Sequence, residues 1–516
     1  MKAGNKKFYI TTPLYYVNAA PHIGHSYTQI ATDTLTRFHR LLGEEVFFMT
    51  GTDEHGEKIE KATIDGGFAP GNEKEFVDGI IPKFKKLWED LDIEYDYFIR
   101  TTDDYHKRTV QHILTTLYEK KDIYKGEYDG WFCIPCEMFW SDTQAVDGNC
   151  PDCKRKLEKI KENNYFFKIS KYQKWLIDHI DNNPGFIMPD YRKNEVLSFL
   201  KNNELNDLCI SRSKKRLKWG IELPFDKEYV TYVWVDALIN YISGIGFLDD
   251  KERFKSLWPA DLHIIGKDIL RHHAVYWPIM LHASGIELPR TIFAHGWWTI
   301  KGSKMSKSKG NIVDPYYVVG KYGVDPYRYF LLREMPFGLD GGFSEEALIG
   351  RFNSDLANDL GNLLNRTLTM VEKCYEGKVP EPVDSGQWTV DREACESMAK
   401  KIKEAMSVLN FSEALTVIWE FVNKANKSIE VKAPWKLIKE GKIDEHKSFI
   451  YELLESLRII VIAIYPFMPK TAQNMWAQLG LKDLNKASFD HIKRYGLMPP
   501  GTVINKGAPL FPRIKK

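Results

Sequence analysis

Residues 8–12, FYITT, are a short run of aromatic and β-branched side chains closed by Pro13. The run predicts a buried strand that ends in a loop. Residues 26–41 carry Ile30, Leu35, Phe38 and Leu41 at helical spacing, and residues 46–49, VFFM, form a second apolar strand running into the polar loop GTDEHGEKI. Strand, loop, helix and strand in this order make a βαβ unit. Such units build parallel sheets, whose strand carboxyl ends are the usual place for a ligand. The expected class is therefore α/β, built on a parallel sheet with a ligand at its carboxyl edge.

The pattern changes along the chain. Residues 72–120 look helical, with Phe76, Ile80, Phe84 and Leu87 on one stripe. Residues 128–164 hold Gly, Asp, Lys and four paired cysteines with little periodicity. Strand–loop–helix texture resumes at 229–242 and 261–270. From about 350 onward nearly every segment fits an amphipathic or buried helix. The expected organisation is one α/β domain in two halves, 1–114 and 226–349, interrupted by an insertion at 115–225. An all-α bundle follows over 350–516.

Length and composition exclude several classes. With 516 residues, about three domains are expected, at ~150 residues each. Hydrophobic residues at 43% and charged residues at 28% exclude disorder and low complexity. Lys+Arg 72 against Asp+Glu 70 gives a net charge of +2, which excludes bulk adhesion to nucleic acid but allows a locally basic groove. The first residues form no apolar signal stretch. The most apolar run, 459–468, falls short of the ~20 residues that span a bilayer. A cytoplasmic location without membrane attachment is expected.

Four segments carry chemistry. Pro21-His22-Ile23-Gly24-His25 opens the first helix, where free N–H groups and the helix dipole favour phosphate, Gly24 permits close backbone approach and two imidazoles can donate hydrogen bonds. Lys304-Met305-Ser306-Lys307-Ser308-Lys309 is a lysine-rich loop able to stabilise a departing pyrophosphate. Either motif alone reads as a helix cap or a solvated loop. Cys133-x2-Cys136-x13-Cys150-x2-Cys153 has the spacing of one closed, four-thiolate structural zinc site. Asn362 and Arg366 lie four apart on one helix face, and Trp435 follows Pro434 at a helix start.

The pair HIGH and KMSKS, in this order and some 280 residues apart, is similar to the signature of class I aminoacyl-tRNA synthetases. The stretches TTPLYYVNAAPHIGH, TGTDEHGEKI, YVWVDALINY, HIIGKDILRHHAVYWP and KMSKSKGN, with GNLLNR and KAPW farther on, resemble the methionyl-tRNA synthetase family over nearly the whole chain. The resemblance implies a Rossmann-like nucleotide-binding catalytic domain split by a zinc-knuckle insertion and followed by an all-α anticodon-binding bundle. It implies that His22, Gly24, His25, Lys304, Ser306 and Lys307 bind ATP, with His22, His25, Lys304 and Lys307 stabilising charge during the reaction. It implies a methionine slot of Leu14, Tyr16, Val233, Trp234, Ala237, Tyr241, Ile269, His273 and Trp277, with Asp53 on the ammonium. Aromatic walls suit a polarizable thioether. Where the family often has proline after the alanine of the slot, this chain has Leu238, which could alter the wall. Asn362, Arg366 and Trp435 would read the anticodon of initiator and elongator tRNA(Met), since unpaired bases stack on aromatic and guanidinium planes. Mg2+ would accompany ATP, and one structural Zn2+ would sit in the knuckle.

Other members of the class and an inactive homologue fit these residues less well. The leucine enzymes of this class need a much longer insertion for an editing domain, and the cysteine enzymes hold an active-site zinc on a different ligand set. A catalytically dead RNA-binding paralogue would have no reason to keep HIGH, KMSKS and Asp53. Basic side chains at Lys214, Lys215, Arg216 and Lys218 read as an acceptor-stem contact or a solvated surface, and Lys424, Lys427 and Lys432 as phosphate contacts or a solvated face. No appended dimerisation domain is expected, so a monomer is the simpler state.

Overall fold

The computed structural model describes residues 7–18, 21–134, 138–140, 142, 145, 147–151, 154–300, 303–304, 313–383 and 392–515. Along the chain run β1 (Lys7–Thr11), β2 (Tyr15–Tyr16), α1 (Ile23–Leu41), β3 (Glu45–Asp53), α2 (Glu57–Asp65), α3 (Glu73–Asp90), β4 (Tyr97–Arg100) and α4 (Asp104–Glu119). Next come β5 (Ile123–Cys133), β6 (Met138–Trp140), β7 (Glu158–Phe167), α5 (Gln173–Asn182), β8 (Ile187–Met188), α6 (Asp190–Asn202), β9 (Leu208–Cys209), β10 (Ser211–Ser213), β11 (Glu222–Leu223) and β12 (Asp226–Thr231). Then follow α7 (Val233–Leu238), α8 (Asn240–Ser243), α9 (Lys251–Leu257), β13 (Leu262–Gly266), α10 (Trp277–Ser284), β14 (Ile292–His295), β15 (Trp298–Ile300), β16 (Ser303–Lys304), α11 (Pro315–Tyr322), α12 (Val324–Arg333) and β17 (Gly341–Gly342). Helices α13 (Glu345–Arg351), α14 (Asn362–Tyr375), α15 (Arg392–Ser407), α16 (Phe411–Lys432), α17 (Pro434–Lys439), α18 (Ile443–Ile464) and α19 (Pro469–Gln478) follow, and two short 3-10 turns lie beyond them, at Leu484–Lys486 and Phe489–Lys493.

The main sheet is parallel, in the order β2-β3-β1-β13-β14-β8, with β4 also on β3. Both neighbours of β1, β3 on one side and β13 on the other, come later in the chain, so the sheet is wound outward from β1 in two directions and the winding reverses there. That reversal opens a crevice at the strand carboxyl ends. The pleat divides each strand between two cores. Phe8, Ile10, Phe48, Ile264 and Phe293 pack with α1, α3 and α12, whereas Tyr9, Met49, Ile265 and Ala294 pack with α4, α7 and α10. Both faces are thus covered, as a parallel sheet requires. The first core continues without a break into the helical bundle through Leu363, Phe411, Ile418 and Leu457.

The structure adds detail that the sequence pattern does not carry. The helical stretch 72–120 is divided by β4: Gly51 lets that strand lie close to β3, since a Cβ there would come within 2.0 Å of the Ile99 carbonyl oxygen. Residues 128–164 are not irregular, because β5 and β7 form a ten-pair antiparallel ladder from Ile123↔Phe167 to Phe132↔Glu158. The interval 115–225 begins inside α4, and its β8 returns to the main sheet on β14, with Ile187 opposite Ile292. The 229–242 segment does enter a strand, but β12 pairs antiparallel with β10 and β11 in a separate small sheet. Among the described residues, no helix is long and apolar enough to cross a membrane.

Candidate active site

The residues singled out in the sequence gather at the carboxyl ends of β1, β3 and β13. His22 is the N-cap of α1, and its side chain accepts the Gly24 N–H at Nδ1, 3.1 Å away. His25 reciprocates, accepting the His22 N–H at its own Nδ1, 3.1 Å. The two rings stack at 3.9 Å. This is a capping box built from two imidazoles, satisfying amide donors that a helix start would otherwise leave unmade. Because each Nδ1 accepts, the neutral rings carry their protons on Nε2 and are donors there. Gly24 suits the same geometry: a Cβ at this position would lie 3.0 Å from His22 Cε1, and the ring would have to give by a few tenths of an ångström. The cap therefore fixes the tautomer that suits a phosphate.

Asp53 is the last residue of β3 and is buried. The loop behind it is bolted down. Glu54, fully buried, takes both ends of the Arg100 guanidinium at 2.8 Å and the hydroxyls of Thr52 and Thr102, while its N–H reaches Thr101 Oγ1 at 3.0 Å. Trp219 donates its indole N–H to the Glu54 carbonyl.

The aromatic slot lies across β13. Leu14, Tyr16, Val233, Trp234, Tyr241, Ile269 and Trp277 belong to one contiguous cluster; Val233, Tyr241 and Trp277 are buried, the others half-buried. Ala237 is buried on α7 beside them. Leu238, at the position singled out for its departure from proline, is buried in the same cluster. Trp234 meets Tyr16 edge-on at 6.4 Å and stacks on His272 at 3.7 Å. A single π-helical turn, His272–Tyr276, presents His273. Its Nδ1 lies 3.0 Å from the Ile269 carbonyl, an acceptor only, so Nδ1 carries the proton and Nε2 accepts the Tyr241 hydroxyl at 2.7 Å. Burial pushes the His273 pKa down to about 4, so the ring is neutral at pH 7. The Tyr241–His273 pair thus gives the slot a polar but uncharged point.

Other predicted residues stand elsewhere or outside the description. Lys304 ends β16, paired opposite Thr299, and Ser306 and Lys307 lie outside the described residues. Cys133 at the end of β5 and Cys150 are buried in one small cluster with Trp140 and Leu157; Cys136 and Cys153 lie outside the described residues. Among the described residues no group of three or more His, Cys, Asp or Glu could hold a metal. Cys150 sits in a tight turn, its N–H on the Arg155 carbonyl at 2.8 Å and its carbonyl on the Lys154 N–H at 2.9 Å. Asn362 and Arg366 lie on α14, exposed and half-buried. Trp435 opens α17 behind Pro434 and is 50% exposed, so it is not a core residue. Lys214 is tied to Glu222, and Arg216 to Glu57, Glu158 and Glu162, so two of that cluster's four cations are paired within the chain.

Sequence reasoning missed the charged groups behind the site. His55 Nδ1 meets Asp236 Oδ2 at 2.7 Å, and His106 Nε2 meets Asp236 Oδ1 at 2.8 Å. On the far side of α1, Asp33 receives Arg37 at 2.8 Å and Arg328 at 2.6 Å, all buried. The only signal available was a charged residue standing in an apolar string.

The profile of the family described as tRNA synthetases class I (M) matches residues 8–368, and that of the anticodon-binding domain of tRNA ligases matches 392–495. A methionine–tRNA ligase of Caldanaerobacter subterraneus subsp. tengcongensis is 51% identical over 514 residues, 99% of this chain and 79% of the relative. The chain belongs to the methionine–tRNA ligase family. The family member of Clostridium tetani is 49% identical, over 99% of this chain and 79% of its own. Among solved structures, Mycobacterium tuberculosis methionyl-tRNA synthetase in complex with methionyl-adenylate is 42% identical, with a TM-score of 0.92 over 98% of this chain and all of that one. The free-state form of the same synthetase gives 0.86 over the whole of both chains. Likeness of this extent covers both the parallel-sheet domain and the helical bundle of this methionine–tRNA ligase family member.

Proposed function

We propose that this chain activates methionine and esterifies it to tRNA(Met). The carboxylate of methionine attacks the α-phosphorus of ATP in line, the bond to the β-phosphate oxygen breaks, and pyrophosphate leaves. A hydroxyl of the 3'-terminal ribose of tRNA then attacks the carbonyl of methionyl-adenylate, and AMP departs. The observation that carries this reading is the convergence of the His22–His25 cap, Asp53 and the neutral Tyr241–His273 slot at one crevice. Phosphoryl chemistry of this kind works by positioning and electrostatics, which is what a preset pair of imidazole donors offers.

In this reading His22, Gly24, His25, Lys304, Ser306 and Lys307 bind ATP and the departing pyrophosphate, with Mg2+ accompanying the nucleotide. Asp53 pairs with the substrate ammonium. Leu14, Tyr16, Val233, Trp234, Ala237, Tyr241, Ile269, His273 and Trp277 hold the thioether. The enzyme acts as a cytoplasmic monomer on initiator and elongator tRNA(Met). Pyrophosphate exchange into ATP, measured with each of the twenty amino acids separately, tests it. Exchange with methionine alone is expected, and exchange with a different amino acid, or with none from folded protein, overturns it.

Two expected results follow for the periphery. Cys133, Cys136, Cys150 and Cys153 hold one structural Zn2+, whose affinity becomes folding free energy for the knuckle. Native mass spectrometry should find one zinc per chain, lost in Cys150→Ser, with faster proteolysis between 133 and 158 while the remaining chain stays folded. A metal-free wild type with the same protection sinks the assignment. Asn362, Arg366 and Trp435 read the anticodon. Trp435→Ala, which removes an exposed stacking surface worth about 1–3 kcal/mol per base, should raise the KM for tRNA roughly 5- to 150-fold and leave pyrophosphate exchange unchanged. Equal loss in both reactions would mean that the indole supports the fold instead.

A further inference from the structure

Three buried side chains behind the crevice form a unit that the reaction itself does not use. Asp236 is fully buried on α7, one residue before Ala237. Its two carboxylate oxygens go to different histidines: Oδ2 to His55 Nδ1 at 2.7 Å and Oδ1 to His106 Nε2 at 2.8 Å. Side-chain exposures are 3% for His55, 1% for Asp236 and 0% for His106. An ionised carboxylate only accepts, so both ring nitrogens donate to it. The chain of contacts continues from His106 Nδ1 to Ser243 Oγ on α8 at 2.7 Å. The His55 ring also lies 5.3 Å from the Trp219 ring, whose indole N–H holds the carbonyl of Glu54.

The placement matters more than the bonds. His55 stands two residues beyond Asp53 in the same loop, while Asp236 stands on the helix that carries Val233, Trp234 and Ala237. One contact, between residues 181 apart in sequence, therefore ties the loop of the ammonium site to the wall of the side-chain slot. His106 fixes the same carboxylate to α4 from the other side. A buried ionic group of this kind is no efficient source of stability, since apolar residues of similar volume often do as well. What it supplies is a fixed geometry, because every member must be satisfied at once.

We propose that His55 and Asp236 are positioning residues for the amino-acid substrate, holding Asp53 at the separation from the slot that an α-amino acid with a thioether side chain spans. The inference rests on the methionine-ligase reading given above. It separates two ligands that share a side chain: L-methionine, with its ammonium, and 4-(methylthio)butanoate, without it.

The test compares the dissociation constants of these two compounds by tryptophan fluorescence for wild type, His55→Leu, His55→Asn and Asp53→Asn, with folding checked by thermal melting. His55→Leu should weaken methionine on the order of 10- to 100-fold, the usual scale for losing a buried hydrogen bond to a charged group, while the des-amino compound changes by less than about 3-fold. His55→Asn, whose amide can occupy the place of Nδ1, should recover most of the methionine affinity. Equal weakening of both ligands, or undiminished methionine binding in folded His55→Leu, overturns the proposal. Should His55→Leu fail to fold, Asp236→Asn carries the same contrast, since one of its two accepting positions becomes a donor. Asp53→Asn separates the two levels. If it leaves the preference for methionine intact, the site reading fails; if it abolishes the preference while the His55 and Asp236 variants do not, only the positioning role fails.

Discussion

Replacing Asp33 by leucine is expected to lower the unfolding free energy by about 3–5 kcal/mol, the scale for removing one partner of a buried ion pair. Asp33 sits mid-way along α1 with no exposure. Its Oδ2 accepts Arg37 Nε at 2.8 Å and Arg328 Nη2 at 2.6 Å, and its Oδ1 accepts the Glu94 N–H at 2.8 Å. Arg328, also unexposed, donates in addition to the carbonyls of Leu91 at 3.2 Å, Pro466 at 3.1 Å and Phe467 at 2.9 Å. One carboxylate thus joins the helix that starts at His22, the end of α3, α12 and the end of α18. Leucine would leave two guanidinium groups without their central counter-charge. The urea midpoint at pH 7 measures the effect, and a loss below about 1 kcal/mol would show the pair to be dispensable. Adding Arg328→Met should restore much of the loss, because the uncompensated charge goes with it.

The same residue sets a pH dependence. Burial pushes the Asp33 carboxyl up, but Arg37 and Arg328 outweigh it and hold the group below its ordinary value. A depressed folded-state pKa contributes stability above the unfolded value of about 3.9 and loses it as pH falls through the folded value. The gap between wild type and the leucine variant should therefore be full at neutral pH and narrow only below about pH 4.

His22→Ala is expected to slow methionyl-adenylate formation by on the order of 10²–10³, the usual consequence of removing one preset donor to developing charge, with methionine affinity unchanged within about 2-fold. The experiment is single-turnover adenylate formation, paired with methionine titration. His22 also caps α1, and losing a cap costs about 1 kcal/mol, so a second variant is needed to divide the two roles. Asparagine is a good cap but holds no imidazole, so His22→Asn should regain the stability and stay slow. A collapse of methionine affinity in either variant, or full activity in the asparagine one, would contradict the phosphate role.

Much of this molecule was legible in the amino-acid order. The βαβ start, the helix opening at His22 and the helical second half follow from periodicity and turn chemistry, which act within a few residues. The HIGH cap is itself local, with its bonds spanning two and three positions. The chemistry-bearing residues, from Asp53 in its polar loop to the aromatic run around Trp234, were visible through the resemblance of their stretches to the family. The β5–β7 ladder was not visible, because its alternation is diluted by Gly126, Gly130 and charged side chains on an exposed face. Nor was the return of β8 to the main sheet: two residues carry too little pattern to announce a strand, and only the open edge of β14 recruits them.

What the tertiary structure alone decided are the meetings across the chain. Asp236 finds His55 and His106 over separations of 181 and 130 residues, and Arg328 finds Asp33 over 295. No local rule ranks such pairs, since a charged residue in an apolar segment satisfies the sequence pattern equally well on the surface. Burial is what selects among them: once the sheet and helices close, each ionised group must meet its partner or pay a desolvation penalty of several kcal/mol. The sequence determined which chemistry was available and where each helix began; the packing of one core against another determined which charges hold the site in place.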